Sequence, residues 1–548
     1  MAELRFRVVA GIVSAGLALG VAEVLAAFIG ADSAPLHTLG ATVVDYTPDG
    51  LREWAIKTFG TDDKAVLYAC MTVVAIVVAG VAGAVERTTR AAGSAVLTVF
   101  GVVAAVIAAG RGGLPGALPT VIGVGVGISA LRLLTARIDA VATATESAAA
   151  ESGATHSVRD SASGSTTRAI PFDGASAPRG AEAVSPPAYQ QVAPERRQVL
   201  RGLVVTGGLA LAAGITGRVI GARRADVSGE RAAVLLPQPS GPPISLAPEA
   251  DLRVPGLTPY LTANADFYRI DTALIVPQVS IEDWSLRIHG MVDREIRLSW
   301  ADLANRQAVE RLVTLACVSN PVGGDLIGNA LWRGYRLDEL LAEAGPHRDA
   351  DMVLSHSKDG WTAGSPLEVL TDGRDALLAI GMNGEPLPVS HGYPARLVVP
   401  GLYGYVSATK WVTELEVTRF DRATAYWTRR GWSARGPIKT GTRIDTPRAR
   451  GRTTQGRTAI AGVAWAQHRG IRSVEVQIDN GDWQPARLST EQSIDTWRQW
   501  VYDWTATPGQ HTIRARATDG TGETQTDRYR DVIPDGATGY PSVTVHVT

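Results

Sequence analysis

Five apolar runs, all within the first 220 residues, decide most of what this 548-residue chain can fold into. They extend from about Phe6 to Ile29, Ala65 to Val85, Ala92 to Gly110, Leu114 to Leu134 and Leu200 to Ile220. Each is close to the ~20 residues that a helix needs to cross a bilayer. Their Gly, Ala and Val content lets helix backbones approach closely. An α-helical membrane region of four helices is therefore expected over residues 1–137, with a fifth helix over 199–221. Arg5 and Arg7, Arg87 and Arg90, and Arg132 and Arg137 fall on one side if the N-terminus is cytoplasmic, against Arg52, Lys57, Lys64 and Arg111 on the other. An odd number of crossings then places everything after about Gly221 outside the cytoplasm. Glu23 is the one acid at membrane depth, which fits either a function or a polar contact inside the bundle.

Residues 138–198 are dominated by Ala, Ser, Thr, Gly and Pro and read as a disordered cytoplasmic linker. The linker ends at Glu195-Arg196-Arg197-Gln198-Val199-Leu200-Arg201. The paired arginines resemble a twin-arginine export signal, and an ordinary positive-inside anchor explains them equally well. After a lead-in over 222–250, mixed strand and helix patterns over 251–447 predict an α+β domain. Over 448–548 the pattern becomes alternating strands, such as 473–478 and 511–516, with a turn at Asp479-Asn480-Gly481-Asp482. About 100 residues of that kind read as a small β-sandwich.

Two cysteines are present, and Cys70 lies inside an apolar run. Cys317, in Thr314-Leu315-Ala316-Cys317-Val318-Ser319-Asn320, has no partner for a disulfide in its own domain. It is a buried hydrophobe, a nucleophile or a soft metal ligand. Three further segments carry anion-binding residue types: Asn264-Ala265-Asp266-Phe267-Tyr268-Arg269, Met382-Asn383-Gly384-Glu385-Pro386-Leu387, and His391-Gly392-Tyr393-Pro394-Ala395-Arg396, which leads on to Lys410-Trp411. In this order they resemble the molybdopterin-binding domain of the sulfite oxidase family, from about Asn264 to the C-terminus. The resemblance implies an immunoglobulin-like C-terminal domain of the dimer-forming type, and Cys317 as the protein ligand to molybdenum. It also implies that His391, Arg396 and Lys410 bind the pterin or its phosphate, with Asn264, Phe267, Arg269 and Asn320 as further cofactor contacts. Arg offers a forked, permanent cation for phosphate and Lys a point charge. Trp332, Tyr403, Tyr405, Tyr426 and Trp427 are candidates for a substrate funnel or, equally, for the core.

Two departures from the family pattern matter. Where the resemblance implies an arginine pair after the thiol, this chain has Pro321-Val322-Gly323-Gly324. Thr424 holds the spacing before Trp427 at which a tyrosine is expected, so Tyr426 stands in as the catalytic candidate. No Cys-x-x-Cys-His is present, and no histidine lies in the five runs, so the helices are not expected to carry haem. The expectation is a multi-pass membrane protein whose molybdenum-molybdopterin domain transfers oxygen to sulfite or a related sulfur substrate outside the cytoplasm. Electrons would pass to a separate cytochrome or quinone, a homodimer is possible, and no nucleic-acid partner is expected. The alternatives are a sulfoxide-type reductase of the same family and a non-catalytic membrane receptor.

Overall fold

The computed structural model describes residues 2–30, 33–59, 62–160 and 196–548, in two units, Met1–Ala225 and Asp226–Thr548. The first unit is helical: α1 (Ala2–Ile29), α2 (Pro35–Tyr46), α3 (Asp49–Phe59), α4 (Asp63–Val85), α5 (Ala92–Asp160) and α6 (Arg196–Ala225). Among the described residues, four helices are long and apolar enough to cross a membrane. One of them, α5, breaks at Gly113, whose φ of 68° and ψ of −174° no helix accommodates. A Cβ added to Gly101 would stand 2.7 Å from Val124, so the two halves fold back on one another as the separate third and fourth runs expected.

Helix α1 is the hub of this unit. A Cβ on Gly11 would lie 2.0 Å from Ala79 O, and one on Gly123 2.3 Å from Ala18 O. Such approaches are open only to residues without a side chain. Outward-facing side chains such as Val73, Val77, Val106, Val204 and Leu211 are left exposed. Two features differ from expectation: α2 and α3 occupy the stretch between the first two runs, and α5 continues through 138–160 where a linker was expected. The remainder of that linker, 161–195, lies outside the described residues.

The second unit opens with α7 (Ser228–Ala233), followed by two sheets. In the first, β2 (Ile296–Ser299), β1 (Ser285–Gly290), β10 (Val412–Thr418), β5 (Met352–Ser357) and β6 (Thr362–Pro366) are neighbours in that order. In the second, β3 (Val309–Ala316) pairs with β4 (Ile327–Arg336), which pairs with β7 (Leu377–Met382). Strand β7 also pairs with β8 (Glu385–Pro386) and β9 (Arg396–Val398). Strand β3 is almost wholly buried, and its free edge is covered: Thr314 N–H donates to Asp495 O (3.0 Å) and Gln467 Nε2 to Thr314 O (3.0 Å).

The C-terminal region is β-rich. One sheet orders β11 (Gly441–Thr446), β13 (Gly456–Trp465), β17 (Arg498–Ala506) and β16 (Arg487–Leu488). The other orders β12 (Arg452–Thr453), β19 (Ser542–Val547), β18 (Gly509–Asp519), β14 (Ile471–Ile478) and β15 (Gln484–Pro485). Ile460 and Trp500 from the first sheet share a core with Val474, Ile513 and Val545 from the second. The expected strands 473–478 and 511–516 fall in β14 and β18, which pair directly, and Asp479 and Asn480 take the positive φ of a tight turn. Because β11 belongs to this region, the structural division falls near residue 440, ahead of the expected 447.

Candidate molybdopterin site

Cys317 follows the last residue of β3 and opens the hairpin to β4, its N–H donating to Leu326 O (2.9 Å). The thiol is buried. Burial pushes its pKa up, while hydrogen bonds from Ser319 backbone and side chain oppose that shift. Without a neighbouring cation such a group stays a neutral thiol; a bound metal ion would remove the proton. Asn320 shapes the hairpin: its N–H donates to Cys317 O (3.1 Å), and its Oδ1 accepts from Leu326 N (3.0 Å).

The block after β8 supplies the cations. Arg396, on β9, is 6% exposed and donates to Leu397 O (3.3 Å), His391 O (3.1 Å) and Ala408 O (3.4 Å). Its guanidinium lies 5.1 Å from the Trp332 ring centroid. Among the described residues it has no carboxylate partner, and burial lowers its pKa to about 10. Lys410 donates from Nζ to Asp271 Oδ2 (2.7 Å) and Ser390 O (3.2 Å). Burial outweighs Asp271 and brings its pKa down to about 8. Arg269 shares the same carboxylate at 2.8 Å. The His391 ring meets Asn264 O through Nε2 (3.2 Å). Burial, with Arg396 and Lys410 beside it, lowers its pKa to about 4, so the ring is neutral at pH 7.

Asn264 and Phe267 reach the same place from the loop ahead of β1. Asn383 donates from Nδ2 to Asn264 Oδ1 (2.8 Å) and to Thr262 O (2.9 Å), and accepts from Leu331 N (2.9 Å). Phe267 meets both Trp332 and His391 edge to face, at 5.7 Å in each case. Thus Asn264, Phe267, Arg269, His391, Arg396 and Lys410 lie together in one neighbourhood. Trp332 is fully buried, with its indole N–H on Val313 O (3.0 Å), and is a core residue under Arg396.

Tyr426 lies beside β6. Its N–H meets Thr362 of β6, its ring lies 3.6 Å from the Arg430 guanidinium carbon, and it packs with Trp427. Tyr268 and Tyr403 are within electrostatic reach of the thiol. Tyr268 stacks on Phe267 and is also within reach of Arg396. Burial, reinforced by Cys317, raises its phenol far above the usual range; Tyr403 is pushed up to about 12, also mainly by burial. Both phenols stay protonated and able to donate. Tyr268 stood inside a quoted motif without being singled out.

The lead-in contributes as well. Glu230 of α7 accepts from Ser280 Oγ (2.5 Å), Ile281 N (2.9 Å) and Tyr393 Oη (2.6 Å). Arg231 donates to Leu387 O (2.7 Å) and Pro386 O (2.6 Å). Val227 and Val234 pack with Phe267, Trp332 and Tyr393. These contacts clamp the block that carries His391.

A buried thiol, a buried guanidinium without a counter-charge and a lysine beside it suit a soft metal carried on a phosphorylated organic group. The family model for the oxidoreductase molybdopterin binding domain matches residues 273–427. An uncharacterized oxidoreductase of Bacillus subtilis (strain 168), YuiH, is 34% identical over 153 residues, which span 28% of this chain and 74% of that protein. Human mitochondrial sulfite oxidase is 29% identical over 289 residues, 44% of this chain and 52% of the relative. This chain belongs to the sulfite oxidase family of molybdopterin-dependent oxidoreductases. It spans about half the length of the sulfite oxidases it matches. Among solved structures, the sulfane dehydrogenase SoxCD from Paracoccus pantotrophus is similar at 23% identity with a TM-score of 0.47, over 56% of this chain and 85% of that one. As a family member, the chain is an oxidoreductase that uses the molybdenum cofactor.

Proposed function

We propose that the chain is a membrane-anchored molybdenum oxidoreductase that moves an oxygen atom to or from a small sulfur compound, sulfite or a relative of it, outside the cytoplasm. The observation that carries this reading is a buried thiol and a buried cation, Arg396, each within electrostatic reach of Tyr268, with the hydrogen bonds of Arg396 going to backbone carbonyls. When bound, the cofactor supplies two-electron oxygen-atom transfer, with electrons leaving one at a time.

The chain's own residues hold and tune that group. Cys317 would be the soft ligand, while Arg396 and Lys410 would bind the phosphate. Neutral His391 has one ring nitrogen on Asn264 O and offers the other to the pterin. Asn320 keeps the hairpin in shape, and the protonated phenols of Tyr268 and Tyr403 would stand as donors near the reacting centre, alongside Tyr426 as a candidate. The exposed apolar faces of the long helices support a membrane anchor, since soluble proteins rarely leave such surface uncovered. A separate cytochrome or quinone would take the electrons, and the two-sheet C-terminal region fits the immunoglobulin-like, dimer-forming domain of the family. The uncharged Pro321–Gly324 stretch favours a second reading, reduction of a neutral sulfoxide, over oxidation of a dianion.

The deciding experiment compares molybdenum and pterin content of the detergent-purified native chain with Cys317→Ser, alongside electron paramagnetic resonance after partial reduction. Near-stoichiometric metal, with a signal altered by the substitution, is expected. A native chain without molybdenum after cofactor-competent expression would sink the reading.

A further inference from the structure

The C-terminal region reaches the thiol hairpin through residues 528–541, the segment before β19. A Cβ added to Gly539 would stand 3.6 Å from Val322 Cγ2, and one on Gly323 3.8 Å from Pro541 Cβ. The same segment covers Tyr403, whose hydroxyl oxygen would lie 2.8 Å from a Cβ on Gly536. On the other side, a Cβ on Gly404 would stand 3.8 Å from Ala316 O, the residue before the thiol. The segment therefore packs on the hairpin that Cys317 opens and on Tyr403.

Three basic side chains border this segment, and each has a carboxylate of its own. Lys439 donates from Nζ to Asp535 Oδ1 and Gly536 O, both at 2.8 Å, and its backbone N–H points to Tyr403 Oη at 3.5 Å. Arg469 Nε rests on Asp519 (2.9 Å). Arg443 Nε rests on Asp445 (2.6 Å) while its Nη1 reaches Gly324 O in the hairpin (3.3 Å). Of the three pairs, Lys439 and Asp535 are the most open, with side chains 26% and 37% exposed. A small anion can reach that ammonium, but only by competing with Asp535.

We propose that Asp535 is a specificity-determining residue: by holding Lys439 it withholds from the site the ammonium beside Tyr403, which disfavours doubly charged oxyanions and admits uncharged sulfur compounds. This is selection against a competitor, achieved by withholding a cation. The inference rests on the placement of the reacting centre at Cys317 given above.

Titration calorimetry of inorganic sulfate into the molybdenum-loaded, detergent-solubilised full chain reads dianion binding without turnover. The native chain should bind sulfate weakly. Asp535→Asn should bind it on the order of tenfold more tightly, and lose that gain as salt is added. The double variant Asp535→Asn/Lys439→Met should return to the native value. A single variant that binds no better, or a double variant that keeps the gain, overturns the assignment. Should Asp535→Asn fail to load metal, Lys439→Met alone decides: unchanged sulfate binding fits a lysine already masked, and a marked loss refutes it. Metal content is read first, and a native chain without molybdenum removes the underlying reading and this inference with it.

Discussion

Replacing Arg396 by methionine should act in opposite directions on the empty and the loaded protein. Burial holds this guanidinium at a pKa of about 10 in place of 12.5, with no carboxylate beside it among the described residues. In free-energy terms the empty fold carries the charge at a cost of about 3 kcal/mol. Methionine removes that cost and fills much of the same volume over Trp332. It also strips donors from the carbonyls of His391, Leu397 and Ala408 and loses the contact with the indole ring, a penalty of roughly 1–2 kcal/mol. The net expectation is an empty protein about 1–2 kcal/mol more stable, visible as a rise of a few degrees in the melting temperature. The loaded protein should lose cofactor, because the bidentate donor for phosphate is gone. The assay is differential scanning calorimetry of full-length protein from cofactor-deficient cells, paired with molybdenum content from cofactor-competent ones. An empty variant destabilised by more than about 1 kcal/mol, or a variant that retains normal metal content, would refute the claim that Arg396 awaits an anion.

Acid should weaken the empty protein through His391. Its ordinary pKa of 6.5 falls to about 4 in the fold, so below pH 6.5 the unfolded chain takes up a proton that the folded one refuses. Stability should decline as pH drops from 6.5 to about 4 and level off below that, by up to about 3 kcal/mol. Urea melts across that range should lose this slope in His391→Gln, and a variant with the native slope would point elsewhere. Glu230→Gln should cost roughly 1–3 kcal/mol, since an amide oxygen cannot serve all three donors as a carboxylate does. Denaturant midpoints together with metal content check this; unchanged midpoints would show that α7 is not a clamp.

What was legible in the chain was what its local chemistry carries. Cys317, His391, Arg396 and Lys410 could be read because a lone soft donor and permanent cations, set among small and apolar residues, have few structural uses. Asn320 was visible, but not its hold on the hairpin, which depends on a partner six residues on. Tyr268 was hidden because an aromatic beside Phe267 looks like core, and only the fold brings it within reach of Cys317 and Arg396. Glu230 could not be found at all. Its partner Tyr393 lies 163 residues away, and its own surroundings have the composition of a tether. That β11 pairs with β13 was not legible, because its six residues carry no mark of which sheet they join. In the first unit, apolar length announced the long helices, while α2 and α3, being short and mixed in polarity, left no comparable signal.

The lead-in helix also sets where a protease can cut the second unit free of the helical one without harm. A cut at or before Asp226 leaves Val227, Glu230, Arg231 and Val234 attached to the fold they complete. A cut only ten residues later looks equally innocent by composition, but it would release a fragment lacking one wall of its own cofactor cradle. Proteolytic release of the second unit is thus tolerated in a window far narrower than the Pro-rich stretch implies.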